Sequence, residues 1–365
     1  MCNNQYIFVF IFFSEMTFFS IIIFIITLIF YLHIFYHLKT NSNLEVFVAD
    51  YISKEKCTEL CDLKQPAIFS YSNKILSNKI IDSIYNKNFN NIKLNVHNTN
   101  HDDCKIPLSL EKTTNLMKKD NSSLYTCERN STFMEVTGLN TVINDNDSYF
   151  KPYLVSSKNY DIVFGADKAH TKVRCDVNFR NFYYCVKGKF NIKIMPPSST
   201  DYLNKKKDDE CLEYLSPVNV WDIKGEECVN LKDVNIIDLT IKEGQVLFIP
   251  AYWWYSIECS HDSLLCSLKY KTYMNVLSIL PQYALHYIQQ QNITHKKFKS
   301  IKKEIREPIK KDEKKNTGKE KDDIENKDEI KNKHVVTETQ NKKTENKNTE
   351  VKNTENKNSE NENIK

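Results

Sequence analysis

Glycine and proline are scarce in this chain of 365 residues, 6 and 9 respectively, while Asn, Lys and Ile abound. That bias points to an AT-rich coding sequence and excludes no function by itself. An excess of one charge is missing too: 51 Lys and Arg stand against 47 Asp and Glu, a net of +4. So even a balance lacks the basic footprint of a nucleic-acid-binding domain, and no specific nucleic acid is expected as a partner. The basic cluster Lys205-Lys-Lys207 reads as a solvated loop. Eleven Cys occur without a single Cys-x-x-Cys pair, which removes the usual frame of a structural zinc site. Cys57-x-x-x-Cys61 comes nearest. Its spacing puts both sulfurs on one helical face, where buried free thiols are the expectation. An odd thiol count points to a reducing compartment.

What the chain does have is one long apolar run. Thr17 to Tyr36 reads TFFSIIIFIITLIFYLHIFY, twenty residues without a formal charge. About 20 apolar residues span a bilayer as a helix, and Tyr31, Phe35 and Tyr36 suit an interfacial belt. The run is too long for a signal-peptide core, no basic segment precedes it, and no small-x-small cleavage site comes after it. Residues 1–40 therefore read as a hydrophobic segment with a single transmembrane helix at 17–36, and the membrane is the expected partner. Residues 6–13 are also apolar but are cut off by Glu15, and Met16 offers a second start. Lys39 is the first basic residue after the span, so the positive-inside rule favours a cytoplasmic side for the domain beyond it.

At the other end, aromatic residues stop at Phe298 and the chain passes into Lys/Asn/Glu repeats of the form T-E-N-K-N. Such a segment cannot bury enough apolar surface to offset the entropy of ordering. Residues 296–365 are expected to be a disordered tail.

Between these ends lie about 250 residues, enough for one substantial core. A domain is expected over 44–292, with its core in 153–275. Leu44 to Ala49 and Gln65 to Phe69 read as strands around a helix starting at Ser53, and 98–131 as loops carrying one helix. From Tyr153 onward strands dominate: 160–164, 179–186, 190–195, 236–241, 246–249, 255–259 and 264–270. Alternation in Phe190-Asn-Ile-Lys-Ile-Met puts Phe190, Ile192 and Ile194 on one face. Short strands without a βαβ rhythm argue a mainly β sandwich or barrel. An amphipathic helix closes the domain at 274–291, carrying Leu277, Leu280, Leu285 and Ile288, with Pro281 as a kink or start.

Two stretches carry the chemistry: Thr171-Lys-Val-Arg-Cys-Asp176 and Gly244-Gln-Val-Leu-Phe-Ile-Pro-Ala-Tyr-Trp-Trp-Tyr255. Together they resemble the metal-site halves of the JmjC and cupin-like branch of the double-stranded β-helix fold. The resemblance covers roughly residues 45–292 and implies a cupin or jelly-roll barrel with flanking helices. In that family the first stretch ends His-x-Asp, and the second reads roughly Gly-Asp-x-Leu-Phe-Ile-Pro-x-Gly-Trp-Trp-His. The two His and the Asp hold a catalytic Fe(II), and 2-oxoglutarate completes the site. Here the His positions are Arg174 and Tyr255, and only Asp176 remains. A guanidinium has no lone pair for a metal. An Arg174–Asp176 ion pair is expected instead, with Tyr255 donating its hydroxyl to the same cluster. The hairpin around Val186-Lys-Gly-Lys189 and Pro196-Pro197 also resembles the family's. Where some members carry a cosubstrate-binding lysine, this chain has Phe190.

Thr171, Phe190, Trp253 and Trp254 are the pocket candidates, although packing of the barrel is the favoured role of the Trp pair, since Trp supplies large buried area. His170, Cys175, Cys259 and His261 offer an alternative metal set, with Cys175 on the opposite strand face to Arg174. No cofactor is expected, and Asp176 would be the ligand if any metal bound. The order of Cys61-Asp-Leu-Lys-Gln-Pro66, Phe164-Gly-Ala166, Asn178-Phe-Arg-Asn-Phe182, the Ile249 to Tyr255 stretch and Thr272-Tyr-Met-Asn275 is similar to membrane-anchored cupin-like proteins of giant DNA viruses. That resemblance implies a fold and a membrane location but no reaction. The replaced metal ligands favour a non-catalytic binding or scaffolding role, with any protein partner unknown. Its rivals are an Fe(II)/2-oxoglutarate-dependent hydroxylase or demethylase and a small-ligand-binding cupin.

Overall fold

Alternating strands from Val155 onward supply most of the sheet structure in a computed structural model, which describes residues 2–99, 105–208, 211–222, 231, 234–289 and 291. The tail expected at 296–365 lies outside the described residues. The chain opens with α1 (Cys2–Leu38), which runs on through Glu15 rather than breaking there. Its Met16–Leu38 portion, 23 residues with a mean hydropathy of 2.6, is long and apolar enough to cross a membrane. A signal sequence near an N-terminus meets the same measure of length and composition.

Strands β1 (Phe47–Ala49) and β2 (Ala67–Ser70) flank α2 (Lys54–Leu63), whose first turn is capped by Ser53 Oγ accepting from Lys56 N at 3.2 Å. Cys57 and Cys61 sit buried on one face of α2, as their spacing predicts. Next come α3 (Lys74–Tyr85), β3 (Lys93–Asn98), β4 (Lys105–Ser109), α4 (Leu110–Lys119), β5 (Tyr125–Cys127), α5 (Ser131–Val136) and α6 (Leu139–Asn146). The expectation of mere loops with one helix over 98–131 is corrected here: β4 and β5 pair with β3 and extend the sheet. The later strands are β6 (Val155–Gly165), β7 (Arg174–Asp176), β8 (Arg180–Lys187), β9 (Lys189–Met195), β10 (Lys206–Asp208), β11 (Glu213–Leu215), β12 (Ile237–Lys242), β13 (Gln245–Ile249), β14 (Trp254–Cys259) and β15 (Leu264–Thr272).

One sheet has nine strands in the order β1-β2-β13-β8-β15-β6-β5-β3-β4, and the other six in the order β10-β11-β7-β14-β9-β12. Every pairing is antiparallel except β1 with β2. The β8–β9 hairpin turns at Gly188, whose φ of +77° is available to glycine at no steric cost. With this many helices, the mainly β expectation gives way to a mixed helix and sheet domain.

The strands of the larger sheet are apolar on both faces, which fixes the layering. One phase (Phe69, Ile162, Phe164, Phe182, Tyr184, Phe248, Leu268) packs with Cys57, Leu60, Ile80, Phe133 and Ile143 of the helices. The other phase (Ile68, Val163, Cys185, Leu247, Leu265) meets Phe190, Ile192, Ile194 and Ile257 of the smaller sheet. The two sheets thus share a core. A third cluster under the smaller sheet holds Val173, Cys175, Met195 and Trp254.

Past β15 the chain forms α7 (Tyr273–Ser278), capped by Thr272 Oγ1, which accepts from Asn275 N at 3.1 Å. The single helix expected at 274–291 is broken at Ile279, and helical residues resume over 280–289, placing Pro281 in a first turn that tolerates it.

Candidate functional site

Where the shared core ends, the gap between the sheets opens into a polar cavity of about 410 Å³. Strand alternation explains its lining. Arg174 and Asp176 are two apart on β7, so both point into the gap, while Cys175 between them packs into the cluster beneath the sheet. Register then sets the neighbours: Glu213 of β11 lies opposite Asp176, and Tyr255 of β14 opposite Arg174. From the facing sheet come Ser267, Lys269 and Lys271, the polar phase of β15, with Asn159 and Asp161 of β6 beside them.

The pairings differ from the expected one. Arg174 does not bond Asp176. Its Nη2 donates instead to Glu128 Oε1 at 2.5 Å, and both side chains are buried. Asp176 takes its cation from across the gap: Lys269 Nζ lies 2.9 Å from Oδ2 and 3.0 Å from Oδ1. The expected Tyr255 hydroxyl is there, donating to Oδ2 at 2.7 Å, and Tyr183 OH joins it at 3.2 Å. Lys269 also stands 3.9 Å from Glu213, so one ammonium sits between two carboxylates that neighbouring strands force together. Arg129 completes the set, pairing Glu213 and, at 2.9 Å, Asp208.

These pairings set the charge states. Burial opposes ionisation of Glu128, but Arg174, with help from His97 and Arg129, outweighs it and holds the carboxyl at about 2. Burial likewise works against the Asp176 carboxylate, and Lys269 with the Tyr255 hydroxyl pulls its pKa below the usual range. Glu213 goes the other way: burial raises its pKa despite Arg129 and Lys269. Burial also pushes Asp161 up to about 6, although the Arg129 and Asn130 amides donate to it.

Of the pocket candidates, Thr171 lines the cavity and its Oγ1 accepts from Ile257 N at 3.0 Å. Phe190 and Trp253 do not; both are fully buried in the core between the sheets. Trp254 faces the opposite side of β14, where its Nε1 donates to Thr200 Oγ1 at 3.0 Å. The pocket candidacy of Phe190 is therefore corrected, while the Trp pair takes the packing role favoured for it. Size is the reason, since indole and phenyl groups contribute most by filling the core. The alternative metal set does not assemble either. Cys175 and Cys259 lie in separate clusters, the His170 ring packs on Trp221, and His261 is on an exposed turn.

Fe(II) does not fit the residues present. Arg174 offers no lone pair, Tyr255 keeps its proton and donates a hydrogen bond to Asp176, and an ammonium already holds both Asp176 oxygens. A second group, Asp208, Cys211 and Glu213, gathers ligand-type atoms within 4.8 Å of one another. Arg129 bridges its two carboxylates, and burial pushes the Cys211 thiol up to about 11, so this group also suits an ion pair better than a metal. The residue at one turn departs from the family pattern as well. The turn Pro250-Ala-Tyr-Trp253 puts Tyr252 at a φ of +68°, where the resembling family has glycine, and Tyr252 N donates to Asp176 O at 2.8 Å.

Sequence reasoning missed Lys269, Glu128, Glu213, Arg129 and Tyr183. A signal for Lys269 exists in the alternation Ser267-Leu-Lys269-Tyr-Lys271. Glu128 and Arg129 come from a turn after β5, and nothing local marks them.

A sequence profile described as a cupin-like domain matches residues 46–277, well over half of the chain. Comparison with curated proteins gives no match.

Proposed function

The chain belongs to the cupin-like domain family, and from that premise we propose a membrane-anchored binding protein whose domain works without iron. Two sheets, antiparallel but for the β1–β2 pair, face each other across one core and support a double-stranded β-helix barrel with the cavity at its mouth. The observation that carries the reading is the Lys269 ammonium on Asp176. A fixed positive charge takes up the only carboxylate left from the facial triad, and that triad needs two imidazoles and open positions. The cavity of about 410 Å³ falls in the range of small-molecule sites. Asn95, Asn159, Thr171, Asn178 and Lys271 line it, which suits a small molecule rich in hydroxyl or carboxyl groups. The Met16–Leu38 helix supports the anchor, and Lys39 supports a cytoplasmic domain.

The test is metal analysis of the purified full chain, with a coupled assay for succinate released from 2-oxoglutarate. The expected result is no stoichiometric iron and no succinate above the blank. Stoichiometric iron together with succinate would sink this reading and restore the Fe(II)/2-oxoglutarate hydroxylase. For the anchor, removing residues 1–30 spares the His37 contacts and should move the protein from carbonate-washed membranes to the soluble fraction.

A further inference from the structure

The last described helix is built inside out. Over residues 280–289 the side chains turned toward the domain are polar: Gln282, His286 and Gln289. His286 is only 9 % exposed, and Lys207 Nζ donates to Gln282 O and Gln289 Oε1, both at 3.4 Å. Lys207 is thus part of strand β10 holding this helix, not the solvated loop expected. At about 100° per residue these positions share one arc of the helix. The opposite arc is apolar and exposed, with Leu280 at 50 %, Tyr287 at 59 % and Ile288 at 58 %, and Leu285, between the two arcs, is 57 % exposed. A surface helix of a globular domain turns such an arc to the core.

Its position says what covers it. The helix comes directly after α7, and α7 packs against α1, the candidate membrane span. That junction is fixed. Lys64 Nζ donates to Tyr36 O at 2.8 Å and His37 O at 3.1 Å, and also to Lys39 O, so one ammonium caps the C-terminal end of α1. The His37 ring packs edge-on against Phe179 at 5.1 Å. Leu154, 72 % exposed beside Tyr153, accepts from the first amide of α7 at 3.1 Å and adds apolar surface next to it.

We propose that the apolar arc of residues 280–289 lies in the interfacial layer of the bilayer that α1 enters, giving the domain a second contact with lipid. The inference rests on the membrane reading of α1. Lipid is the occupant because the helix follows directly on α7, which packs against the span, and because Tyr283 and Tyr287 join an apolar body to a polar tip, as interfacial residues do.

The test uses the full chain in phosphatidylcholine vesicles, with single added tryptophans at exposed positions. Ile288→Trp reports on the arc, Leu285→Trp on its flank, and Ile26→Trp on the span. Lys189→Trp is the control, one strand length from Phe179 along β8 and roughly 25 Å away at the usual rise. Lipids brominated near the headgroup end of the acyl chains should quench the added emission of Ile288→Trp and Leu285→Trp by about twofold or more, as for a helix in the interface. Lys189→Trp should be unaffected. Quenching at Ile26→Trp without quenching at 285 or 288 would overturn this inference and leave the anchor standing. No quenching at any position would overturn both. Blue-shifted but unquenched emission at 288, with a cross-linked dimer, would assign the arc to a second copy and overturn the lipid contact.

Discussion

Four charged side chains decide the character of the cavity, and they act as two crossed pairs: Arg174 with Glu128, and Lys269 with Asp176. Truncating one member of a buried pair leaves a charge without a partner, which costs about 3–5 kcal/mol. Lys269→Met should therefore lower stability by that amount in chemical denaturation, with Asp176 the group left exposed to the penalty. Adding Asp176→Leu should recover most of the loss, since an apolar pair of similar volume replaces a buried ion pair at little cost. A single variant as stable as the native chain would show that Lys269 is not the partner of Asp176. Acid titration gives a second handle. Glu128 has a folded pKa of about 2, below its usual 4.5, so its stabilisation is complete above pH 4.5 and lost as pH falls towards 2. Asp161, at about 6 instead of 3.8, works in the opposite sense: its burial penalty applies above pH 6 and is relieved as pH falls towards 3.8. Each shift is worth on the order of 3 kcal/mol. The denaturation midpoint of the Glu128→Gln protein should accordingly fall less steeply between pH 4.5 and 2 than that of the native chain. An unchanged slope would remove Glu128 from the account. At this scale the resemblance marks Arg174 and Tyr255 as standing where the family's pattern has His, but it does not tell which partners surround them. Arg174 and Asp176 are adjacent on one face, and that proximity suggests a pair. Their true partners arrive from 46 residues upstream and 93 residues downstream.

At the level of elements, β6, β8, β9 and β12 to β15 follow the apolar patterning visible in the chain, because each carries an apolar phase that must be buried. Strands β7, β10 and β11 are three residues each, too short and polar to show one. The inner polar phase of β15 is harder to read. A polar phase ordinarily means solvent, but here α2, α3, α5 and α6 cover the apolar phase of the same strands. Ser267, Lys269 and Lys271 are left facing the gap between the sheets. The missed strands β3 to β5 have the same root. Only Leu94 and Val96 of β3 are fully buried, and Asn, Lys and His residues around them disguise the alternation. The closing helix shows the converse error. Its apolar stripe is legible, but the stripe faces outward, and the residue that docks the segment is Ile279, fully buried at the break between α7 and 280–289. Ile279→Ala should cost about 2–5 kcal/mol. It should also make the segment after Ser278 the first site of limited proteolysis, read by mass spectrometry. Cleavage elsewhere first would show that Lys207 and His286 suffice to hold the helix.

For the whole molecule, the consequence of the α1 junction is orientation. A helix end normally leaves carbonyl groups without partners, and in this chain one buried Lys64 ammonium serves two of them, Tyr36 O and His37 O, together with Lys39 O just past the end. Asn41 Nδ2 ties the next turn to Leu63 O at 3.0 Å, so the connection from α1 to the domain is bonded on both sides of Lys39. A domain held in this way presents one face to whatever surrounds α1, while the cavity between the sheets keeps a constant attitude to that surface. Lys64 has a φ of 54°, a left-handed conformation that glycine adopts without cost. Lys64→Gly therefore deletes the ammonium and eases the backbone at the same position, which separates the two roles. The expected outcome is faster hydrogen exchange at the amides of residues 34–40, by about 5- to 150-fold for carbonyls that lose about 1–3 kcal/mol of hydrogen bonding. Exchange in the β8 and β15 core should stay unchanged. Spin-label distances from α1 to β8 should broaden in the same variant. A narrow distribution and native exchange rates would mean that packing of His37 on Phe179 fixes the junction, with Lys64 contributing little.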